Sequence, residues 1–381
     1  MPDVKISRVD GMGARGPLPR KRIEIADWVR REIVVGHLAP GDRLPSRTWF
    51  QRRFTPNANV VQRAFAELAA DGFVETRGAA ARGTVVARHL PFTGRYLLIL
   101  KANEADGGYN FFSPALEAAA RELERRRGVT FDVMRVADAD ADSSGEYGKA
   151  VECVRRHLYS GVFVQHLNRL HGLDTILNLD YIPMAYFGSP SVFAQGKWVR
   201  SISSTSGTDD NPLNSLALQF KNCAAAGLRR IAVFASTPDR LIAAKAEKIA
   251  RAEAKECGVE IEADGCHFTG MAMWHIERLE FVRLVRLYLR YIAGNPVDAI
   301  VLGDDNFLEP FEDACAEVYG ARKKLPFAVF CHCNFPRPPK SRFGATFHGI
   351  DCTATLGTFV DYAEALLSGS DSPPTPHRVY A

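Results

Sequence analysis

The stretch between Gly41 and Val86 constrains this 381-residue chain more than any other. Ser46 is placed to cap a short helix over Arg47–Arg53, and a Thr-Pro step at residues 55–56 ends that helix. A second helix pattern, over Ala58–Ala70, follows at once. Two helices joined by so tight a turn must pack against each other and against whatever flanks them.

A third helix pattern precedes this pair, and two short strands follow it. The preceding pattern covers Lys21–Val35, with Arg30 and its polar neighbours predicted on the outer face and an apolar face formed by Ile25, Val29 and Ile33. Strands are predicted over Phe73–Arg77 and Gly83–Ala87, around a turn rich in Gly, Ala and Arg. Three helices followed by a β-ribbon predict a winged helix-turn-helix.

The net positive charge of the chain lies in its first 90 residues. Residues 1–90 contain 16 Lys and Arg against 9 Asp and Glu, and subtraction from the totals of 48 and 44 leaves 32 against 35 in the remainder. A basic module on a slightly acidic body indicates contact with a polyanion. Residues 1–20 are predicted to form a flexible basic tail, since they lack the apolar region of a secretory signal.

The second helix of the pair carries polar side chains on its leading turns. Asn57, Asn59 and Gln62 lie there, and a recognition helix presents such N-terminal residues to base edges in the major groove. Asn and Gln can pair with adenine, while nearby arginines can contact phosphates or the minor groove. A solvated polar face of an interaction domain is the alternative, but the basic excess and the order of the elements favour double-stranded DNA.

Three segments of this module resemble a known family. They are GHLAPGDRLPSR, NANVVQRAF and DGFVETRGAAARGTVV. With them, residues 21–87 resemble the GntR-type winged-helix domain of bacterial transcription regulators. Thr48 and Ala58 occupy positions where that family often has arginine. The resemblance implies a DNA-binding set formed by Arg47, Thr48, Asn57, Asn59, Gln62, Arg77 and Arg82.

After a Pro/Gly linker at residues 89–94, strand and helix patterns alternate through residues 95–381. Two runs of such units predict an α/β body with two parallel sheets. Ligands of open parallel sheets bind beyond the carboxyl ends of the strands, and two facing lobes would form a closing cleft. The predicted domains are therefore a tail (1–20), a winged helix-turn-helix (21–88), a linker (89–94) and a bilobed effector-binding and dimerisation domain (95–381).

The body contains no recognisable catalytic signature. Asp304 and Asp305 are adjacent at a strand end, where neighbouring side chains usually diverge, so a two-carboxylate site is disfavoured. The Cys331-His332-Cys333 segment lacks the second half of a structural zinc site. We predict no enzyme activity, no cofactor and no metal. Scattered cysteines and the absence of a membrane-spanning apolar run predict a cytoplasmic protein without membrane contact.

The body also resembles the LacI-type effector domain, itself similar to periplasmic sugar-binding proteins. The segments that carry the resemblance are AAAGLRRIAVFAS, VDAIVLGDD and LGTFVDYAEALLSG with the closing HRVYA. It implies effector contacts by Arg240, Asp305 and Asn334. Aromatic residues could add stacking on a sugar face, among them Phe112 and Trp274, although packing in a lobe core is an equal alternative for each.

These inferences predict a sequence-specific transcription regulator, in particular a repressor, whose operator binding responds to a sugar-like effector held between two lobes. The body would form a homodimer that places two winged helices on half-sites. Two alternatives use the same scaffold. A solute-binding protein would need an export signal, and a sugar-modifying enzyme would need a nucleophile or an acid/base pair.

Overall fold

The structure is a computed structural model that describes residues 18–76, 83–101, 111–136, 145–165, 176, 179, 181–187, 197–202, 214–236, 240–269, 278–320 and 324–381. The chain divides into two compact units. The first comprises Met1–Leu100, Gly128–Ser201 and Phe359–Thr375, and the second comprises Lys101–Arg127, Ile202–Thr358 and Pro376–Ala381.

The first unit begins with the predicted winged helix. Its helices are α1 (Leu18–Val34), α2 (Arg47–Phe54) and α3 (Ala58–Ala70), and its antiparallel ribbon pairs β1 (Val74–Thr76) with β2 (Thr84–Val86). One apolar cluster joins the three helices to the ribbon, with Phe50, Val61 and Leu68 among its fully buried members. The element order predicted from the sequence is thereby confirmed.

The predicted capping residues set the helix-turn-helix geometry. Ser46 Oγ accepts a hydrogen bond from Trp49 N at 3.2 Å, and Asn57 Oδ1 accepts one from Val60 N at 3.0 Å. Each cap satisfies a first-turn amide that has no partner within its own helix. Thr55 ends α2 in the left-handed region at φ 53°, so the chain turns one residue before the proline that was expected to break the helix.

The outer face of α1 differs from the prediction. Arg30 and Glu32, expected in solvent, are 1% and 4% exposed. Periodicity correctly placed Ile25, Val29 and Ile33 inside, but it could not show that the opposite side of the helix is covered as well.

The rest of the first unit is a parallel sheet with the strand order β4-β3-β5-β6-β7. Its strands are β3 (Arg95–Lys101), β4 (Thr130–Val136), β5 (Gly161–Val164), β6 (Met184–Tyr186) and β7 (Val199–Ser201). Helix α5 (Glu146–Arg155) follows β4 and packs on the apolar cluster beside the sheet. Helix α4 (Phe112–Arg127) follows β3 in the chain but falls in the second unit.

The second unit is built on a parallel sheet with the order β12-β11-β10-β8-β9. Its strands are β8 (Arg230–Ser236), β9 (Glu260–Thr269), β10 (Ala299–Leu302), β11 (Ala328–Phe335) and β12 (Thr346–Asp351). Its helices include α6 (Asn214–Ala225), α7 (Arg240–Glu256), α8 (Arg278–Tyr291) and α9 (Leu308–Tyr319). A last helix, α10 (Cys352–Leu367), passes from the second unit into the first. The two predicted parallel sheets are confirmed.

Strand β9 was not predicted. Its pairing with β8 shifts register between Ile231 and Val233, where the partner residues jump from Ile261 to Cys266. This irregularity shifts the phase of the alternation that signals a strand, with apolar residues at Ile261 and Ala263 before it and at Cys266 and Phe268 after it.

Candidate functional site

The leading turns of α3 present the predicted DNA-contacting residues to solvent. Asn57, Asn59 and Gln62 are exposed, as are Arg47 and Thr48 at the start of α2. The opposite face of α3 is buried in the module core, including Val60, Val61, Ala64, Phe65 and Leu68. The helix is therefore held from behind while its polar residues stay available for contact.

Two limits apply to this predicted set. Asn57 uses its Oδ1 atom to cap α3, so the oxygen of its amide is already engaged. Arg77 and Arg82, predicted in the wing, lie outside the described residues.

The predicted effector residues of the second unit lie at one edge of its sheet. Asp305 comes three residues after Leu302 of β10, and Asn334 three residues after Cys331, which pairs with Leu302 in β11. Arg240 begins α7, shortly after the end of β8 on the other side of β10. Parallel strands end at a common edge, so all three positions belong to the edge where such sheets bind ligands.

Asp305 and Asn334 are in direct contact. Asn334 Nδ2 donates a hydrogen bond to Asp305 Oδ2 at 2.9 Å, and both side chains are buried. Burial raises the pKa of Asp305 well above its usual range, the nearby Asp304 carboxylate raises it further, and the Asn334 hydrogen bond opposes the shift.

Asp304 has a different task from its neighbour. Its Oδ1 accepts from Asn306 N at 2.9 Å and from Asn306 Nδ2 at 2.6 Å, which caps the short 3-10 turn Asp305–Phe307. The expectation that the two carboxylates diverge is only partly right, because they remain close enough for one to shift the pKa of the other.

A cavity of about 320 Å³ opens beside Asp305 within the second unit. Phe111, Leu308 and Pro339 supply apolar lining, and its charged lining comes from Glu309, Glu312, Lys340 and Arg342. Sequence reasoning missed these charged residues, since they come from α9 and the loop before β12 and share no motif. Phe111 belongs to the aromatic run that drew attention to Phe112.

The remaining effector predictions have mixed outcomes. Phe112 is half-buried at the start of α4 and is not among the residues that line the cavity. Arg240 lies at the start of α7, but its side chain is outside what is described, and Trp274 lies outside the described residues.

The cysteine segment is built into the core. Cys331, His332 and Cys333 are buried in β11, and burial, aided by Arg378, lowers the pKa of His332 to about 4. The eight cysteines are free of disulfides. Among the described residues, no cluster of three His, Cys, Asp or Glu side chains could hold a metal ion. In the same ranges, every helix is too short or too polar to cross a bilayer.

Comparison with known proteins supports both parts of this architecture. Residues 21–86 match the family described as bacterial regulatory proteins, gntR family. The solved complex of the transcriptional regulator CelR with cellobiose is 14% identical, with a TM-score of 0.50, and the match covers 94% of this chain and 98% of that one. No curated protein matches the chain significantly.

Two further solved structures are similar. A LacI family transcriptional regulator from Bifidobacterium animalis subsp. lactis is 15% identical, with a TM-score of 0.47 over 76% of this chain and 96% of that one. A periplasmic solute-binding protein from Actinobacillus succinogenes with bound D-allose is 14% identical, with a TM-score of 0.48 over 75% and 96%.

The fold and the exposed helix define a DNA-binding regulatory protein with a second, α/β part. Residues 21–86 match the gntR family, and the two parallel sheets that follow share the fold of the regulator CelR.

Proposed function

We propose that this protein is a cytoplasmic transcription repressor that binds an operator as a homodimer and responds to a carbohydrate effector. The observation that carries the proposal is the capped, solvent-facing start of α3 in a module of the gntR family. Two such modules in a two-fold dimer would meet two half-sites of a near-palindromic DNA sequence.

We assign base contacts to Asn59 and Gln62, whose exposed amides can pair with adenine in the major groove. Asn57 would add a contact through its amide nitrogen, since its oxygen caps the helix. We assign exposed Thr48 a contact with the adjoining DNA backbone. Arginines supply the phosphate and minor-groove contacts, namely Arg47 with Arg77 and Arg82 of the wing.

The effector is proposed to bind at the carboxyl edge of the second sheet. A hydrogen-bonded carboxyl and amide, Asp305 and Asn334, could exchange their mutual bond for bonds to adjacent hydroxyls of a sugar. Arg240 would supply donors from the next strand end, and Phe112 and Trp274 would stack on the sugar face. CelR, a protein of similar fold, was solved with cellobiose.

The first experiment tests whether the protein binds DNA sequence-specifically. Full-length protein is incubated with random duplexes at physiological salt, and bound sequences are recovered and compared with the promoter region of its own gene. Enrichment of a two-fold symmetric sequence supports the proposal. Binding without any sequence preference would contradict it, because non-specific affinity comes from phosphate contacts alone.

The second experiment identifies the effector. Thermal unfolding of the protein is measured in the presence of mono- and disaccharides. A ligand at 100 times its Kd stabilises the folded protein by about 2.7 kcal/mol. A sugar that raises the melting temperature is then added to the operator complex and should change its affinity by about 5–150-fold. Turnover of that sugar would instead favour an enzyme, and binding without any effect on DNA affinity would favour a solute-binding protein.

A further inference from the structure

The covered side of α1 surrounds one buried arginine with carboxylates. Arg30 donates to Asp27 Oδ1 at 3.0 Å, to Glu67 Oε1 at 2.8 Å and to Asp71 Oδ2 at 2.6 Å. A guanidinium removed from water needs such partners. Arg22 of the same helix also pairs with Glu67, at 3.2 Å, so two arginines face three carboxylates here. The winged-helix module by itself therefore carries excess negative charge at this place.

An arginine from outside the module offsets part of this negative charge. Arg156, the C-cap residue of α5, donates its Nε to Asp71 Oδ2 at 3.0 Å and its Nη2 to Asp71 Oδ1. The fork-shaped pair is bidentate, which fixes orientation as well as distance. Asp71 is also the C-cap residue of α3, so this contact holds the end of the DNA-facing helix opposite to Asn57.

Apolar contacts surround the ion pairs. Leu158, Tyr181, Trp198 and Leu367 pack against the core of the winged helix although none of them belongs to it. The Arg31 guanidinium lies 4.7 Å from the centre of the Tyr181 ring, within the range of a cation–π contact. Residues beside the first parallel sheet thus cover the winged-helix core inside the first unit, while the sheet has a separate apolar cluster of its own.

The segment predicted as a linker, residues 89–94, is anchored through Phe92 and Gly94. Phe92 is buried in the same core with its ring 6.0 Å from that of Phe73. Ser160 Oγ donates to Phe92 O at 2.6 Å and accepts from Gly94 N at 3.1 Å. Residues 89–94 therefore follow the surface of the first sheet instead of serving as a free tether.

We propose that the winged helix is a fixed attachment of the first sheet, held by the Asp71–Arg156 pair, and that effector-driven movement of this sheet carries the DNA-facing helix with it. The attachment uses the C-terminal end of α3, while Asn59 and Gln62 at the other end stay exposed. The attachment stands on the contacts alone, whereas its regulatory use rests on the proposed function.

Limited trypsin digestion tests the attachment without DNA or effector. Arg88 lies exposed just before the anchored segment, and cleavage after it requires that the segment open locally. Arg156→Asp should speed cleavage after Arg88 by about tenfold or more, because opening no longer breaks the ion pair and now relieves repulsion from Asp71. Circular dichroism checks that the variant is folded.

The matched control is Lys149→Asp, the same change of charge at an exposed position of α5. It should cleave at the wild-type rate. If Arg156→Asp does not fold, Arg156→Gln removes the charge more gently and should still accelerate cleavage. Equal cleavage rates in wild type, control and both folded Arg156 variants would overturn the proposal.

A second measurement separates this proposal from the proposed function. Arg156→Asp should retain sequence-specific binding to a half-site but lose most of the change in operator affinity that the effector causes. An effector response equal to that of the wild type would overturn the regulatory role of the attachment. A wild-type protein that binds no operator would refute the proposed function, and the digestion result would still decide whether the module is fixed.

Discussion

Asn334 donates a hydrogen bond to the Asp305 carboxyl at 2.9 Å, between the ends of two adjacent parallel strands and away from solvent. The bond joins residues 29 positions apart, and it stabilises the charged form of a carboxyl group whose burial and whose neighbour Asp304 favour the neutral form. Ligand hydroxyls that replace this contact would therefore remove a bond that favours the charged form of Asp305.

Asp305→Asn should stabilise the protein at neutral pH. The folded-state pKa of Asp305 lies above its unfolded value, so wild-type stability falls as pH rises through the interval between the two. The asparagine variant lacks this loss. Thermal melts should show little difference near pH 3.5 and a higher Tm for the variant at pH 7, where about 1 kcal/mol corresponds to about 2–4 °C.

The control for this prediction is Asp371→Asn, which removes an exposed carboxylate. Its Tm should differ between pH 3.5 and pH 7 by as much as the Tm of the wild type does. A lower Tm for Asp305→Asn at pH 7 would show that the carboxylate is charged and well stabilised in the folded protein.

His157→Asn should flatten the acid side of the stability profile. Burial, with smaller effects from Arg30 and Arg31, lowers the pKa of His157 to about 4. The unfolded state therefore binds the extra proton between about pH 6.5 and 4, and wild-type stability falls as pH drops through that window. The full effect of one such group is about 3 kcal/mol.

Asparagine suits this position because the backbone of residue 157 is left-handed, at φ 53°. Urea unfolding from pH 7 to 4 measures the slope, and His332, with a similar pKa, should keep part of it in the variant. An unchanged slope would mean that His157 takes up its proton without unfolding.

Asn59→Ala and Arg52→Ala should weaken DNA binding in different ways, since Arg52 is an exposed arginine of α2 that we predict to contact a flanking phosphate. Loss of a base contact costs about 1–3 kcal/mol and relaxes preference at one base pair. Loss of a phosphate contact weakens all sequences alike and reduces the salt dependence. Anisotropy titrations over a set of operator variants and salt concentrations separate the two effects.

Ala69→Ser, an exposed and uncharged substitution on the last turn of α3, serves as the control and should change neither quantity markedly. Identical behaviour of the Asn59 and Arg52 variants would argue against α3 as the recognition helix.

Arg240→Ala should abolish the effector response while operator affinity without effector stays the same. Arg240 begins α7 after β8, which pairs with β10, the strand that precedes Asp305. A guanidinium there can donate to several sugar oxygens. Lys245→Ala, an exposed change on the same helix, should respond normally. A full response in the Arg240 variant would place the effector site elsewhere.

Elements whose signals are local could be predicted from the amino-acid sequence alone. Ser46 and Asn57 marked both helix starts of the helix-turn-helix, and the alternation of strands and helices fixed two parallel sheets. The resemblance to the LacI-type effector domain indicated Asp305 and Asn334, and both lie at the same edge of the second sheet. Strand β9 was not predicted, because its register shift interrupts the alternation on which such predictions depend.

The surroundings of each element are visible only in the folded chain. Periodicity put Arg30 on an outer face, yet carboxylates from α3 and the C-cap arginine of α5 enclose that face. The Pro/Gly composition of residues 89–94 indicated a linker, yet Phe92 and Ser160 hold it in place. Burial, ion pairing and pKa depend on groups distant in the chain, and local sequence patterns carry no record of those partners.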